Sequence, residues 1–254
     1  MNQIADRVRK EVTEAIEKDQ LVLPTLPEVA LRVREVAEDP DASIHKLTQV
    51  IGNDAKMALM RLGIEYTCNL ATGLAMEQMF QATSDMVDRR LREVWNRSSE
   101  IAGICHVLCR HQTELRPDQA TLAGLIHKIG VLPILTYAEE HPRLLRDSIT
   151  LDDVIDSLHP IIGDQILRKW EFPQELCKVP REHLNFQRQV SNADYADIVT
   201  VAMLQSYMGS DHSMAQVDYT QVTAFERLGL DPDMQFAEAQ DLSEEMEAAM
   251  SLLQ

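Results

Sequence analysis

Apolar residues recur along this chain at steps of three and four, the spacing that lines one face of an α-helix. No pair of alternating apolar runs is joined by a hairpin signal, so the pattern predicts an all-α protein. Residues 2–19 read as a charged amphipathic helix with Ile4, Val8, Val12, Ala15 and Ile16 along one side. Leu21 to Pro27 reads as an extended link, because each proline pushes its predecessor out of the helical region. Pro27 suits the first turn of a helix running to Ala37, which Asp39-Pro40 ends. Ser43 caps a short helix from Ile44 to Ile51 that Gly52 closes. Asp54 caps the next, which carries Met57, Met60 and Leu62. Residues 63–84 hold two glycines, several threonines and a loose scatter of Met and Leu, and fit no clear period.

Further on, the pattern predicts a long helix from Met86 to His111 and another that opens at Pro117 and passes Leu132. Shorter helices are expected near 140–147, 150–158, 159–170, 173–184 and 191–209. Phe225-Glu-Arg-Leu-Gly-Leu230 ends a helix at its glycine. An acidic amphipathic stretch then runs to Leu253, with Ser243 as a cap and Glu244, Glu245 and Glu247 in a first turn that favours carboxylates. The expected organisation is an N-terminal helix (1–20), a main domain (21–230) and an acidic C-terminal helix (231–254). Within the main domain an N-terminal helical part (about 21–85) precedes a larger part (86–215).

The helix opened by Pro117 carries the most informative residues. Leu122, Leu125, Ile126, Ile129 and Leu132 form one stripe, and Ala120, Ala123, Gly124, His127 and Val131 the opposite one. A helix apolar on both sides is buried, so His127 is expected in the interior beside small residues. Lys128 lies about 100° round the helix from it. Pro133 removes a backbone donor and is expected to bend the helix.

Composition adds little to the fold but bounds the function. Hydrophobic residues make up 45% and charged residues 26%, the balance of an ordinary soluble domain. No uncharged apolar run approaches the roughly 18 residues that span a bilayer. The charged N-terminus lacks the apolar centre of a signal peptide, so a cytoplasmic protein without membrane contact is expected. A net charge of -17 disfavours nucleic acid as a partner, because such binding relies on Lys and Arg at phosphates. Arg89-Arg90-Leu91-Arg92, followed by Glu93, reads as a solvated helix face. Cys105-His106-Val-Leu-Cys109-Arg-His111 invites a zinc reading by its four-residue step. No second Cys/His pair matches it, and in an apolar helix Cys packs as a small hydrophobe. No cofactor, disulfide framework, Ser/His/Asp set, phosphate-binding glycine loop or nucleotide fingerprint is found.

Several segments resemble the HDOD family, a non-catalytic relative of the HD phosphohydrolases. They are Leu23-Pro-Thr-Leu-Pro-Glu-Val-Ala30, Glu38-Asp-Pro-Asp-Ala-Ser43 and Ile51-Gly-Asn-Asp-Ala-Lys-Met57, the last with Ala55 where proline is common. Trp95-Asn-Arg-Ser98, Ala123-Gly-Leu-Ile-His-Lys-Ile-Gly130, His159-Pro-Ile-Ile-Gly163, Trp170-Glu-Phe-Pro173 and Phe225 to Leu230 follow in order. The resemblance covers roughly 21–230. It implies an N-terminal helical bundle packed on an HD-like helical half.

HD phosphohydrolases hold metal through a histidine, a His-Asp pair, sometimes further histidines, and a late aspartate. By resemblance the first histidine falls on Arg97 and the pair on His127 and Lys128. A further histidine falls on His159, His183 matches another loosely, and the late aspartate falls near Met203. Lys128 thus puts an ammonium, which donates and never accepts, where a carboxylate would ligate. Two like unit charges ~4 Å apart repel by about 4 kcal/mol at an effective dielectric near 20, and a dication doubles that. A catalytic metal site needs about three protein ligands and an open position.

No metal and no catalytic residue is therefore expected. The resemblance implies a bacterial signal-transduction module that binds signalling proteins, its N-terminal half the platform and its pocket vestigial. Two other functions stay open: a metal-dependent phosphohydrolase with a rearranged site, and a sensor of an anionic small ligand at Arg97, His127, Lys128 and His159. Against the last, Arg97 and Lys128 can be neutralised by Glu100 or Asp164, His127 reads equally as a satisfied core histidine, and His159 as a residue at a helix start. The 2–19 helix could pack within the chain or join two copies into a homodimer.

Overall fold

The computed structural model describes residues 23–39, 44–51, 64–110 and 114–232, with helical positions 7, 10, 11, 13 and 14 of the N-terminal segment. The stripe from Ile4 to Ile16, the cap at Ser43, the helix expected after Asp54 and the acidic stretch beyond residue 232 lie outside the described residues. Among the described residues every regular element is helical. In chain order the α-helices are α1 (Glu28–Glu38), α2 (Ile44–Ile51), α3 (Ile64–Glu77), α4 (Asp85–Arg110), α5 (Pro117–Ile126) and α6 (Val131–Glu139). They continue with α7 (Pro142–Arg146), α8 (Ser148–Lys169), α9 (Gln174–Cys177), α10 (Val179–Glu182), α11 (Tyr195–Ser206) and α12 (Thr223–Arg227).

The long α4 lies along α5, with α11 against both and α3 against α5, while α1 packs on α3. The α4–α5 crossing is close because Gly124 has no side chain: a Cβ there would sit 2.5 Å from the Ala102 Cα. One apolar core runs from Leu26 to Leu228 and includes both tryptophans, Trp95 beside Phe80 (ring centroids 5.2 Å) and Trp170. A second, small cluster of Val33, Leu47, Cys68 and Ala71 joins α1, α2 and α3. All four cysteines are free and buried, and burial raises the Cys109 thiol to about 12.

Five expectations about the elements need correction. Helix α3 occupies most of the stretch left unassigned; it buries Thr67, Cys68, Leu70, Ala71, Thr72, Gly73 and Met76, so no single apolar stripe marks it. The helix expected from Pro117 past Leu132 is two. It breaks at residues 127–130, where backbone hydrogen bonds tighten to the i–3 pattern, and Pro133 falls in the first turn of α6. A proline there gives up a donor that would be orphaned anyway. Conversely, the two helices expected over 150–170 are one, α8, with Pro160 inside it. An interior proline costs about 3 kcal/mol, and here Val154, Leu158, Ile162, Ile166 and Leu167 are buried along the same helix on either side of it. Helix α8 opens at Ser148, ahead of the start expected at 150, because Asp147 caps it by accepting from the Thr150 amide (3.1 Å). The helix expected over 173–184 is the two single turns α9 and α10.

Pro117–Glu139 is the one stretch among the described residues long and apolar enough to cross a membrane, and 83% of its apolar window is buried inside the protein. It is the central core segment.

A buried ion network ties α10, α11 and α12 together. Arg188 donates to both carboxylate oxygens of Asp194 (2.9 and 2.8 Å), to Asp197 (2.9 Å) and to Glu182 (3.1 Å). Arg227 forks onto Asp197 at 3.0 and 2.7 Å. Asp194 also caps α11 in a capping box with Asp197. Arg188 and Lys178 beside it hold the Asp194 carboxyl far below the usual carboxylate range, against the opposing effect of burial.

Candidate functional site

The break between α5 and α6 sets the site. It carries His127 inward and Lys128 toward the surface, and Gly130 brings its backbone onto α8. A Cβ on Gly130 would collide with the His159 carbonyl oxygen and lie 2.6 Å from the Gly163 nitrogen. His159 is therefore held mid-helix against the turn that bears His127, not at a helix start.

Three imidazoles meet behind this turn. The His183 ring lies 5.1 Å from that of His127, edge to face, and 5.8 Å from that of His159. All three residues are buried. His127 Nδ1 is 2.6 Å from the Gly124 carbonyl, and His183 Nδ1 is 3.0 Å from the carbonyls of Val179 and Pro180. Carbonyls only accept, so both Nδ1 atoms carry protons and both Nε2 atoms are bare lone pairs. Those two Nε2 atoms and His159 Nδ1 have no hydrogen-bond partner among the described residues. Burial, followed by His183 and Lys128, holds His127 well below the ordinary histidine range. Burial, His183, Lys128 and His127 do the same to His159. His183 is lowered to about 4, by burial first and Lys128 second.

Above the cluster lies an open cleft of about 760 Å³, lined by Arg97 and Lys128 but not by His127 or His159. The four residues expected to share one pocket are thus divided: two face the cleft and two the interior. Arg97 donates to Glu100 (2.8 Å) and to the Ser206 carbonyl (3.2 Å), and its guanidinium lies 4.8 Å from the Tyr207 ring centre. Tyr207 stacks in turn on His212 (4.0 Å between centroids). Lys128 is half-buried, and its ammonium forms no ion pair or hydrogen bond with the described residues. Burial lowers its pKa, Asp156 opposes that, and Arg97 adds to it. Asp164 is taken by Arg168 (2.9 Å) and neutralises neither cation. Met203 is buried in α11 and contributes no carboxylate. Thr200, one turn before it, ties α11 to the histidine cluster through the His183 carbonyl (2.8 Å).

The metal that HD phosphohydrolases carry does not fit this donor set. Two bare imidazole nitrogens are the right chemistry, but no group of three His, Cys, Asp or Glu among the described residues is arranged to hold an ion. The neighbouring side chain is an ammonium that repels one.

Sequence reasoning placed His183 only loosely and missed His212, Tyr207 and Asp156 as cleft residues. No spacing in the chain links them to Lys128; the fold alone does.

An all-helical chain built round three buried histidines defines a class, and comparison with known proteins gives it a family. A family model for the HDOD domain matches residues 23–59 and 55–186. The chain belongs to the HDOD family. No curated protein matches it. Among solved structures, it is similar to a protein of Shewanella amazonensis SB2B provisionally named a metal-dependent phosphohydrolase, with 26% identity and a TM-score of 0.83 over 97% of this chain and 99% of that one. It is similar in fold to a provisionally named signal transduction protein of Marinobacter aquaeolei VT8, with 21% identity and a TM-score of 0.64, over 100% of this chain and 66% of that one. An HDOD domain protein of unknown function from Geobacter sulfurreducens has 17% identity and a TM-score of 0.62 over 97% and 99% of the two chains.

Proposed function

We propose that this chain is a bacterial cytoplasmic regulatory module that acts by binding signalling proteins and does not hydrolyse phosphate esters. The observation that carries the reading is Lys128. Its ammonium, without an ion pair among the described residues, stands in the second position of the His-Asp pair and adds to burial, the larger cause, in holding three neighbouring imidazoles below their ordinary range. Arg97 and Met203 stand where two further ligands would be, and a thioether is a poor partner for a hard cation. The name given to the Marinobacter aquaeolei relative, a signal transduction protein, agrees with a regulatory role. On the N-terminal half, Val29 and Leu31 are each 46% exposed on α1, apolar surface that a partner would cover.

The test is a panel of phosphate mono- and diesters assayed with added Mn²⁺, Mg²⁺ or Fe²⁺. No turnover is expected; turnover that His127→Ala abolishes would overturn the reading.

A second reading, a metal-dependent phosphohydrolase with a rearranged site, is favoured by the unpartnered Nε2 atoms of His127 and His183. The name given to the Shewanella amazonensis relative points the same way. Metal content discriminates the two: stoichiometric transition metal in protein purified without chelator supports the enzyme.

A further inference from the structure

The cleft above the histidines has a floor and a rim of different chemistry. Val131 and Leu135 are fully buried beneath it, and Val94 and Ile155 form half-buried walls. Lys128 rises from this apolar surface with Arg97 beside it. The rim is acidic: Glu93, Glu100, Asp152 and Asp156 are all exposed. Two of the four are already paired, Glu100 with Arg97 and Asp152 with Arg90 (2.7 Å). Glu93 and Asp156 form no ion pair with the described residues and remain as negative charges at the mouth.

A half-buried ammonium without an ion-pair or hydrogen-bond partner among the described residues has lost part of its hydration, and Asp156 offsets that only through space. Neutral imidazoles lie behind it and a guanidinium lies beside it, so the negative charge that acts on it is that of Asp156 at the mouth, which makes no ion-pair contact with it. An oxyanion reaching the floor would satisfy Lys128 and the outward edge of Arg97 through charge-assisted hydrogen bonds. The apolar walls require that such an anion carry a hydrocarbon body, which would cover the half-buried Val94 and Ile155. The two free acids at the mouth repel any ligand of higher negative charge. A cleft of about 760 Å³ falls in the range of roughly 300–1,000 Å³ typical of small-molecule sites.

We propose that this cleft is a binding site for a small organic monocarboxylate, its head on Lys128 and Arg97 and its apolar body between Val94 and Ile155. The site differs from the four-residue anion pocket expected from the sequence, because His127 and His159 lie outside it. It goes beyond the partner-binding reading and does not depend on it, since binding is measured without a partner or turnover.

The experiment is isothermal titration of the full chain at low salt with acetate, hexanoate, phenylacetate, hexylammonium and ATP, supported by thermal shift. Saturable binding of hexanoate and phenylacetate is expected, with none for acetate, hexylammonium or ATP. Lys128→Met removes the charge while keeping the apolar stem, so folding is preserved. It should weaken hexanoate binding by about 10- to 100-fold, the range set by one hydrogen bond to a charged group. Val94→Asp, on a half-buried wall, should abolish binding with the melting temperature of the free protein little changed. Equal binding of acetate would refute the apolar body, and equal binding of hexylammonium or ATP would refute the anion selectivity. Hexanoate binding that survives Lys128→Met, or no binding by either carboxylate, would overturn the site altogether.

Discussion

Acidification should loosen this protein in a window that its carboxylates do not explain. His183 is fully buried, donates from Nδ1 to two carbonyls, leaves Nε2 without a partner among the described residues and lies beside two other imidazoles. Burial and Lys128 lower it from 6.5 to about 4. The folded-state value is the depressed one, so the unfolded chain binds the proton first. Stability from keeping the ring neutral is complete above pH 6.5 and is lost as pH falls toward 4. The slope is about 1.4 kcal/mol per pH unit for one such group, so roughly 3 kcal/mol goes over the window. His127 and His159 are depressed in the same sense and steepen the fall. Asp194, depressed by Arg188, acts in the same direction but only below the ordinary carboxylate value of about 3.9. The assay is urea unfolding from about pH 7.5 down to about pH 4.5, followed by circular dichroism. His183→Asn keeps a donor for the carbonyls and should flatten the slope by about 1.4 kcal/mol per pH unit. A stability curve flat between pH 6.5 and 4.5 would refute the premise that these imidazoles are held neutral.

Three further outcomes are expected. Lys128→Asp removes the repelling charge and supplies a carboxylate beside His127, so the variant should retain Mn²⁺ or Zn²⁺ through desalting where the natural chain does not; elemental analysis reads the difference. Arg188→Met leaves half-buried Asp194 and fully buried Asp197 short of a partner and should cost about 3–5 kcal/mol in urea unfolding. Glu171 ends α8 with φ at 56°, the left-handed region, and its carbonyl accepts from Arg34 at 3.0 Å. Glu171→Gly relieves a cost of about 1–2 kcal/mol and should raise the melting temperature by about 2–4 °C, read by calorimetry.

The period of apolar residues was enough to read α4 as one long helix and α5 as a buried one, and to place helix over most of α8 though in two pieces, because each keeps apolar residues at helical spacing. It failed at α3, where buried threonines, a glycine and a cysteine replace that face, and packing rather than pattern makes the helix. Proline misled twice in opposite directions. Pro160 reads as a stop, yet α8 continues because core residues on both sides hold it. Pro133 reads as a bend, yet the chain turns earlier, where Gly130 allows contact with the His159 backbone. At the site, Lys128 and His127 stand out because they are adjacent. His183 joins them from 56 positions away, and the depth of the histidines relative to the cleft is set by the turn between α5 and α6. No spacing announces that division. Nor could the Arg188 network be read, since Arg188, Asp197 and Arg227 meet only through the return of the chain after α11.

The continuous apolar interior from Leu26 to Leu228 limits how this chain can be dissected. Phe80 and Met76 belong to the first eighty-odd residues, yet they are sealed by Trp95 and its neighbours. Cut near residue 85, neither piece would keep its inside dry. Recombination between relatives would have to exchange the whole body, and two severed halves made together should reassemble where either alone precipitates.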